Sequence, residues 1–346
     1  NNPERYRNFY ESSRIQTSAV DLKGAERLRF SERWRVEVEG LNIKRTSLMG
    51  KVVVVTARNM LVGVDTETGG VLWRRENDSG ESRCVSAGAD ALVRASTSGT
   101  VEMLDLFTGV RRWHTSLTPR SGGSAVLLVI DHGPCPGVVV VAEEENKITA
   151  LDLRTGEPRW RFTNSRGGFL ALLRFGRLMY VCGNDGHICA VDIEDGSLVW
   201  RFTERTRFFH HPAVTNNYLV AASGRPSRSE GQLFGIDPFS GELKWRLYLE
   251  GGADTAPIIS GDVALIPVQT SDCQDLLAVD ISQGKILWRK TWDLSGAKCA
   301  LKALEDSFVI NTEGGVLECI DAYSGKQKWH EILGPVCSDD VPHDLY

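Results

Sequence analysis

The sequence predicts an all-β protein, a β-propeller built from four-stranded antiparallel blades. Three observations predict it: a motif of Asp, then Gly and then Trp at four-residue spacing occurs seven times, the copies lie 40 to 47 residues apart, and no helical pattern separates them. The copies are Asp65/Gly69/Trp73, Asp105/Gly109/Trp113, Asp152/Gly156/Trp160, Asp192/Gly196/Trp200, Asp237/Gly241/Trp245, Asp280/Gly284/Trp288 and Asp321/Gly325/Trp329. Insertions therefore fall in loops between fixed structural units.

The strand that leads into each motif Asp is predicted to be buried on both faces. The residue just before the Asp and the residue four positions before it are aliphatic in every copy, as Val64 and Leu61 are in the first. The residue two before the Asp is small in most copies, with Met103 as an exception. A small residue there leaves room for a Trp ring packed above it, and each motif Trp is predicted to be largely buried between neighbouring blades.

The motif itself predicts a tight hairpin. The Asp carboxylate can accept hydrogen bonds from the turn backbone, and the Gly supplies the positive φ that such a turn requires. Another β-rich run precedes most copies: Val52–Thr56, Val138–Ala142, Leu178–Cys182, Tyr218–Ala222 and Phe308–Asn311. With one more strand ahead of that run, each repeat of about 40 residues holds the four strands of a propeller blade.

The copies resemble the repeat of pyrroloquinoline-quinone proteins, A-x-D-x-x-T-G-x-x-x-W. The resemblance is carried by ALDLRTGEPRW, AVDIEDGSLVW and AVDISQGKILW, which end at Trp160, Trp200 and Trp288, and it covers nearly the whole chain. This family includes quinone-dependent dehydrogenases, the outer-membrane assembly factor BamB, and sensor or accessory domains of larger proteins. The resemblance therefore implies the fold and leaves the function open.

The blade count depends on Trp34, whose sequence RWRVEV matches the WRF runs at Trp160 and Trp200 without a preceding Asp/Gly pair. We expect eight blades, seven complete and one composite, in which the C-terminal residues begin the blade that the Trp34 segment finishes; seven blades is the alternative. Closing the ring in this way removes exposed sheet edges. Residues 1–29 are predicted to form an N-terminal extension or cap, and residues 30–346 a single propeller domain.

Charge and hydropathy exclude some classes of partner. The net charge of −5 gives no general attraction to nucleic acid, and the longest apolar runs are too short to span a bilayer, so neither nucleic-acid binding nor a membrane span is expected. The N-terminus has no signal-peptide pattern and begins with Asn, which indicates a processed chain or a segment of a longer chain or complex.

The eight cysteines are spread singly along the sequence, without a Cys-x-x-Cys pair. We expect buried free thiols and no disulfide; Cys182 and Cys189 flank one hairpin, but on a diagonal. Unpaired thiols favour a reducing compartment such as the cytoplasm. The resemblance keeps the periplasm open, although a mature lipoprotein of the BamB kind begins at a lipidated Cys, and the first Cys here is Cys84.

No catalytic motif is present, so no catalytic residue, cofactor or metal site is predicted. Quinone dehydrogenases of the family carry an adjacent Cys-Cys pair and an acidic calcium site. Here no two cysteines are adjacent, and the run of Glu143, Glu144 and Glu145 is interpreted as a solvated turn.

The candidate site is the segment ERTRFFHHPAV, Glu204 to Val214, which precedes an innermost strand. Its cationic and aromatic residues would line one mouth of a central channel, together with residues at equivalent blade positions. The predicted binding residues are Arg205, Arg207, Phe209, His210, His211, Lys44 and Arg83. Such a mouth suits an acidic peptide or a small anion. The alternative is that these residues only pack between blades.

Two irregular loops, Ser223–Gln232 and Asp131–Gly137, are further candidates for recognition. The leading functional hypothesis is a non-catalytic scaffold that binds another protein or an acidic peptide segment through the channel mouth. The alternatives are a quinone-dependent oxidoreductase and a sensor domain of a larger receptor or kinase.

Overall fold

The computed structural model shows only β-strands as regular structure in the residues that it describes. These residues are 43–57, 60–76, 82–119, 126–133, 135–144, 146–164, 169–183, 185–224, 231–253, 255–270, 274–292, 299–312 and 316–332. Their strands form seven antiparallel sheets, one for each motif copy. The chain divides into two compact units, here called the N-terminal and the C-terminal unit.

The N-terminal unit holds three four-stranded sheets. Sheet 1 comprises β1 (Ile43–Met49), β2 (Val52–Ala57), β3 (Met60–Asp65) and β4 (Val71–Glu76). Sheet 2 comprises β5 (Ser82–Ser86), β6 (Ala91–Ser96), β7 (Thr100–Asp105) and β8 (Arg111–Ser116). Sheet 3 comprises β9 (Leu127–Ile130), β10 (Val138–Ala142), β11 (Lys147–Asp152) and β12 (Pro158–Thr163).

The C-terminal unit holds four sheets. Sheet 4 comprises β13 (Phe169–Phe175), β14 (Leu178–Gly183), β15 (His187–Asp192) and β16 (Leu198–Thr203). Sheet 5 comprises β17 (Ala213–Val214), β18 (Leu219–Ser223), β19 (Gly231–Ile236) and β20 (Leu243–Leu249). Sheet 6 comprises β21 (Gly252–Ala253), β22 (Ile258–Ser260), β23 (Val263–Gln269), β24 (Gln274–Asp280) and β25 (Lys285–Trp292). Sheet 7 comprises β26 (Cys299–Ala303), β27 (Ser307–Thr312), β28 (Val316–Asp321) and β29 (Gln327–Ile332).

The strands of each sheet follow chain order, so the prediction of four strands for each repeat is confirmed. In sheet 6 the first strand is interrupted, and both β21 and β22 pair with β23. Within each unit, first strands of successive sheets lie against one another, as β1 does against β5 and β22 against β26. Within the part of the chain that the structure describes, the last strand of each sheet, here called its outer strand, pairs on one side only and forms an edge of that sheet.

The strand before each motif turn is largely buried, as its aliphatic pattern predicts. In β3 the four residues from Leu61 to Val64 are buried, and the corresponding residues of β7 and β11 are buried too. Gly63 lies opposite Trp73, and a Cβ at Gly63 would fall 2.3 Å from the indole ring. The small residue before the Asp therefore does make room for the Trp.

The motif turn forms as predicted. In the first copy the Asp65 carboxylate accepts hydrogen bonds from the backbone N–H groups of Glu67 and Thr68 at 2.9 and 2.7 Å. Gly69 adopts a φ of 71°, which is the left-handed conformation that favours glycine. The carboxylate thus satisfies turn donors that would otherwise need water.

The motif also joins successive sheets, through hydrogen bonds that the sequence pattern did not predict. Five motif tryptophans donate their indole N–H to a backbone carbonyl of the next sheet at 2.6–2.9 Å, and that carbonyl always belongs to the residue after the next motif Asp. The pairs are Trp73–Leu106, Trp113–Leu153, Trp200–Pro238, Trp245–Ile281 and Trp288–Ala322. In these five pairs the second copy therefore closes its own turn and also accepts the Trp of the preceding sheet.

Burial of the motif tryptophans follows from this docking. Trp73, Trp160 and Trp200 are buried, at 7–9% exposed. The motif tryptophans at positions 113, 245, 288 and 329 are half-buried, and none of the seven is exposed. The predicted burial is confirmed for three copies and holds partly for the other four.

The five cysteines whose side chains are described, Cys84, Cys135, Cys182, Cys189 and Cys319, are free thiols. Cys182 lies opposite Ile188, and Cys189 lies opposite Val181. The two thiols are therefore on a diagonal, as predicted, and they point to opposite faces of sheet 4.

Several predictions concern residues outside the described part of the chain. They are the composite eighth blade, which involves Trp34 and residues 333–346, the extension of residues 1–29, and the centre of the loop Ser223–Gln232. The side chains of Cys273, Cys299 and Cys337 also lie outside it. These statements stay predictions.

Candidate functional site

The candidate loop, residues 204–212, joins the outer strand of sheet 4 to the first strand of sheet 5 in the C-terminal unit. His210 and His211 precede that strand, as the sequence predicts, but they are not part of it. The strand begins at Ala213 because Pro212 has no backbone N–H to donate to a neighbouring strand. The two imidazoles therefore belong to the loop.

The loop is anchored by Phe208, which is fully buried. Its ring packs on Phe202 of β16 and on Phe234 of β19, with centroids 6.5 and 5.7 Å away. Phe202 and Phe234 also contact each other edge to face at 5.5 Å. This aromatic cluster joins sheets 4 and 5 and fixes the middle of the loop.

Backbone contacts hold the beginning of the loop. The N–H of Glu204 donates to the carbonyl oxygen of Gly186, in the β14–β15 turn, at 2.9 Å. Gly186 has a φ of 85°, and a Cβ there would lie 2.2 Å from the Glu204 carbonyl oxygen. Only glycine permits this close approach, so the turn forms a rigid support under the loop.

An ion pair covers the aromatic cluster. Arg246, which follows the motif Trp245 on β20, donates to the Glu204 carboxylate. Its guanidinium carbon also lies 5.2 Å from the centre of the Phe234 ring. The only acidic side chain of the loop is therefore already paired with a cation of the same unit.

Arg205 and Arg207 are both exposed, and neither forms an ion pair within the part of the chain that the structure describes. Their exposure contrasts with the full burial of Phe208, which lies between Arg207 and Phe209. The loop thus presents two free guanidinium groups from a fixed backbone.

The other predicted residues of the loop are half-buried. They are Phe209, His210 and His211. The Nδ1 atom of His211 lies 3.1 Å from the carbonyl oxygen of Pro212, so this ring is held against its own backbone. Sequence reasoning selected Phe209 as the aromatic contact and missed Phe208 as the anchor. No pattern distinguishes two adjacent phenylalanines before the fold is known.

Lys44 and Arg83 lie on β1 and β5, the first strands of their sheets, as their repeat positions predict. Both belong to the N-terminal unit, whereas the loop 204–212 belongs to the C-terminal unit. Arg83 is half-buried, and the side chain of Lys44 is outside the described part. Their participation in one site with the loop stays a prediction.

The interpretation of the glutamate run as a solvated turn is wrong for Glu143, which is only 7% exposed. Its carboxylate accepts hydrogen bonds from the Thr149 hydroxyl and, at 2.8 Å, from the backbone N–H of Thr118. Burial by itself would raise the pKa of Glu143, but the hydrogen bonds from Thr149 and Thr118 outweigh it and lower the pKa. Thr118 follows the outer strand of sheet 2. Its hydrogen bond therefore joins the Glu143 side chain of sheet 3 to the adjacent sheet.

Sequence reasoning also missed a buried charge cluster between sheets 1 and 2. Arg94 on β6, at 1% exposed, donates to the Glu102 carboxylate at 2.7 Å. Arg75 on β4 donates to the other oxygen of Glu102 at 3.0 Å. The cluster cannot be recognised from sequence because charged residues on strands are usually solvated.

The described residues contain no group of three or more His, Cys, Asp or Glu side chains that could hold a metal ion. The adjacent cysteines associated with quinone binding are absent from the sequence, and Glu143 is engaged by two threonines. The residues present therefore do not fit a quinone and calcium site of the kind that the repeat resemblance implies. No helix in the described residues is long and apolar enough to cross a membrane.

Comparison with known sequences identifies the family. The chain matches the family model of the outer membrane protein assembly factor BamB over residues 31–136, 132–209 and 184–335. The chain belongs to the BamB family. The resemblance of the repeats to quinoprotein-type propellers is thereby confirmed.

Two BamB proteins illustrate the similarity. BamB of Yersinia pestis is 26% identical over 250 residues, which cover 68% of this chain and 62% of the relative. BamB of Moranella endobia is 22% identical over 287 residues, which cover 81% of this chain and 62% of the relative. The chain thus spans less than two thirds of the length of either BamB.

Solved structures show the fold. BamB from Moraxella catarrhalis superposes with a TM-score of 0.62 at 20% identity, covering 84% of this chain and 85% of that protein. A quinohemoprotein alcohol dehydrogenase from Pseudomonas putida superposes with a TM-score of 0.60 at 14% identity, covering 83% of this chain and 66% of the dehydrogenase. The fold is therefore a β-propeller, and BamB proteins share it with redox enzymes.

BamB membership also corrects the expected compartment. The unpaired cysteines favoured the cytoplasm, but the BamB relatives are named for outer membrane protein assembly, and nothing in the comparisons supports a cytoplasmic location. Unpaired cysteines indicate little about the compartment of this protein, because four of the five described thiols are buried and shielded from oxidants.

Proposed function

We propose that this chain is a non-catalytic recognition scaffold that binds a partner protein through the loop 204–212. The observation that carries the proposal is the contrast within the loop: Phe208 is fully buried, while Arg205 and Arg207 are exposed without an ion-pair partner among the described residues. A rigid loop that presents free guanidinium groups loses little entropy on binding. Arg side chains bind carboxylates in a bidentate manner, so the partner segment is acidic.

The relatives support the same class of function. Both BamB proteins are named as assembly factors and not as enzymes, and the expected partner is accordingly another protein of outer membrane protein assembly. We further propose that the chain works in the cell envelope. Fractionation of cells that produce the native protein tests this location, and recovery in the cytoplasmic fraction alone would contradict it.

The experiment that tests the binding site uses a photo-crosslinking residue in place of Thr206, between the two arginines, to identify the partner in cells. The purified partner is then titrated against the Arg205→Ala/Arg207→Ala variant and against Arg154→Ala, an exposed arginine on a motif turn of sheet 3. We expect the double variant to bind at least about tenfold more weakly, with an unchanged melting temperature, because exposed charges contribute little to folding. Arg154→Ala should bind normally. If the double variant binds the partner as tightly as the parent protein does, the proposed site is refuted.

The alternative function is quinone-dependent oxidation, which only the fold shared with the alcohol dehydrogenase favours. Titration of the protein with pyrroloquinoline quinone and calcium, followed by absorbance, distinguishes it. Saturable binding of the quinone would count against a purely non-catalytic role.

A further inference from the structure

The outer strands of the seven sheets carry a strong net positive charge. Strands β4, β8, β12, β16, β20, β25 and β29 together contain 13 Lys and Arg residues and two Glu residues, a net charge of +11. The whole chain has a net charge of −5, which leaves −16 for the rest. The sign of the charge on these strands is therefore opposite to that of the protein.

Part of this charge is neutralised within the fold. Eight of the 13 cations form ion pairs with acidic side chains, for example Arg112 with Asp105 and Lys290 with Glu318. The other five are exposed and form no ion pair within the described residues. They are Arg74, Arg111, Arg161, Arg201 and Lys285, each on a different outer strand.

The same strands are the free edges of their sheets. Among the described strands each pairs with a neighbour on one side only, so a row of backbone N–H and C=O groups faces outward. Exposed aliphatic side chains accompany the cations, such as Leu72 at 41% on β4 and Ile286 at 47% on β25. An edge of this kind can accept an added strand from another chain.

The sign of the charge selects which strand can be added. Charged side chains, Lys above all, protect sheet edges against aggregation, but nine of the 13 cations here are Arg, whose guanidinium group binds carboxylates in a bidentate manner. The nearly uniform positive charge repels the outer strands of a second copy and attracts acidic side chains. Charge complementarity therefore identifies the kind of segment that fits.

We propose that the outer strands form a docking surface for an extended acidic peptide segment, which adds to a sheet edge as a further strand. In the N-terminal unit the surface is formed by β4, β8 and β12, with Arg74, Arg111 and Arg161 as the free cations. The surface is separate in sequence from the loop 204–212, so the proposal does not depend on the function proposed for that loop.

The test uses two synthetic probes, an alternating Glu-Val peptide and the matched Lys-Val peptide, each titrated against the whole protein by fluorescence anisotropy. We expect the Glu-Val peptide to bind at least about tenfold more tightly and to lose affinity as salt is added. Isotope-edited infrared spectra of the bound peptide should show the amide I band of a β-strand. Equal affinity of the two peptides, or a bound acidic peptide without strand structure, would overturn the proposal.

Three variants locate the surface. Arg74→Glu/Arg111→Glu/Arg161→Glu should lose the acidic peptide and gain affinity for the Lys-Val peptide, while its melting temperature stays near that of the parent. The charge-matched control, Arg154→Glu/Lys302→Glu/Lys326→Glu, changes three exposed cations outside the outer strands and should keep the peptide. A further variant, Arg205→Glu/Arg207→Glu, alters the candidate loop. If this loop variant loses the peptide and the outer-strand variant keeps it, the loop is the acidic-peptide site and the outer-strand proposal is wrong.

Discussion

The indole Nε1 of Trp73 donates a hydrogen bond of 2.8 Å to the carbonyl oxygen of Leu106 on the next sheet. The same bond recurs at four other copies of the motif within the two units. At each of these five contacts, one Trp side chain joins two sheets through both its apolar surface and a directed hydrogen bond. This relationship makes the energetic role of the motif testable.

Replacement of Trp73 should separate the two contributions. Trp73→Ala removes a ring that is 7% exposed and should lower the free energy of unfolding by about 3–5 kcal/mol. Trp73→Phe keeps most of the apolar surface but leaves the Leu106 carbonyl without its donor, and should cost about 1–3 kcal/mol. Urea denaturation followed by circular dichroism measures both. Equal losses for the two variants would show that the hydrogen bond contributes most of the stability.

Gly109 should not tolerate a side chain for two reasons, backbone strain and a clash with the Trp73 ring. A substitution at Gly88, which shares only the backbone strain, separates the two effects. A Cβ at Gly109, with a φ of 67°, would lie 2.7 Å from the Trp73 ring, whereas at Gly88, with a φ of 78°, it would meet nothing within 4 Å. Gly88→Ala should therefore cost only the backbone strain, about 1–2 kcal/mol. Gly109→Ala should cost about 1–3 kcal/mol more, because the ring must move. Similar denaturation midpoints for the two variants would contradict the packing role of Gly109.

The motif turns predict a loss of stability in acid. The pKa of Asp105 is lowered from 3.8 to about 2, chiefly by its hydrogen bond with Arg112 and further by bonds from Thr108. Because the folded-state pKa lies below the unfolded-state value, the stabilisation is present above pH 4 and is lost as the pH falls from about 4 to about 2. Asp152, held by Arg159, has the same shift to about 2.

Thermal denaturation between pH 5 and pH 2 measures this dependence of stability on pH, because the Asp carboxylates titrate in that range. Asp105→Asn keeps an acceptor for the turn but removes the charge, so the melting temperature of the variant should fall less steeply with acid than that of the parent. Parallel curves for the two proteins would show that Asp105 does not contribute.

Two ion pairs should differ in importance because they differ in burial: Arg94–Glu102 within sheet 2, and Lys290–Glu318 between sheets 6 and 7. Glu102→Gln leaves Arg94, at 1% exposed, without its carboxylate and should cost about 3–5 kcal/mol. Glu318→Gln leaves Lys290, at 31% exposed, which can turn to water, and should cost no more than about 1–2 kcal/mol. Chemical denaturation of both variants compares them. A larger loss for Glu318→Gln would contradict the ranking by burial.

All eight cysteines should be free in the folded protein. Burial raises the pKa of the Cys84 thiol to about 11, and burial also raises the pKa values of the Cys182 and Cys189 thiols, so these groups are poor nucleophiles at neutral pH. A thiol titration with Ellman's reagent should find few reactive groups before denaturation and eight after it. Fewer than eight under non-reducing denaturation would reveal a disulfide.

Much of the fold can be predicted from the sequence because the Asp, Gly and Trp motif recurs at a regular period. The constant spacing of Asp65, Gly69 and Trp73, repeated in every copy, predicts the turn, the positive φ and the burial of the strand from Leu61 to Val64, since each depends on residues close in sequence. The same spacing predicted that His210 and His211 precede the first strand of a sheet. Local chemistry and chain order suffice for these conclusions.

What the sequence did not determine is which side chains meet across sheets. Adjacent phenylalanines at 208 and 209 differ in burial only because the first one fits between Phe202 and Phe234. The run at Glu143 indicates a solvated turn and no sequence pattern marks Glu102, yet both side chains are buried by hydrogen-bond partners that come from a neighbouring sheet or strand. Such contacts join residues many positions apart, and burial is decided by packing that no local pattern encodes. The sequence by itself therefore determined the repeating unit, and the tertiary structure alone decided which of its charged and aromatic residues remain free to bind a partner.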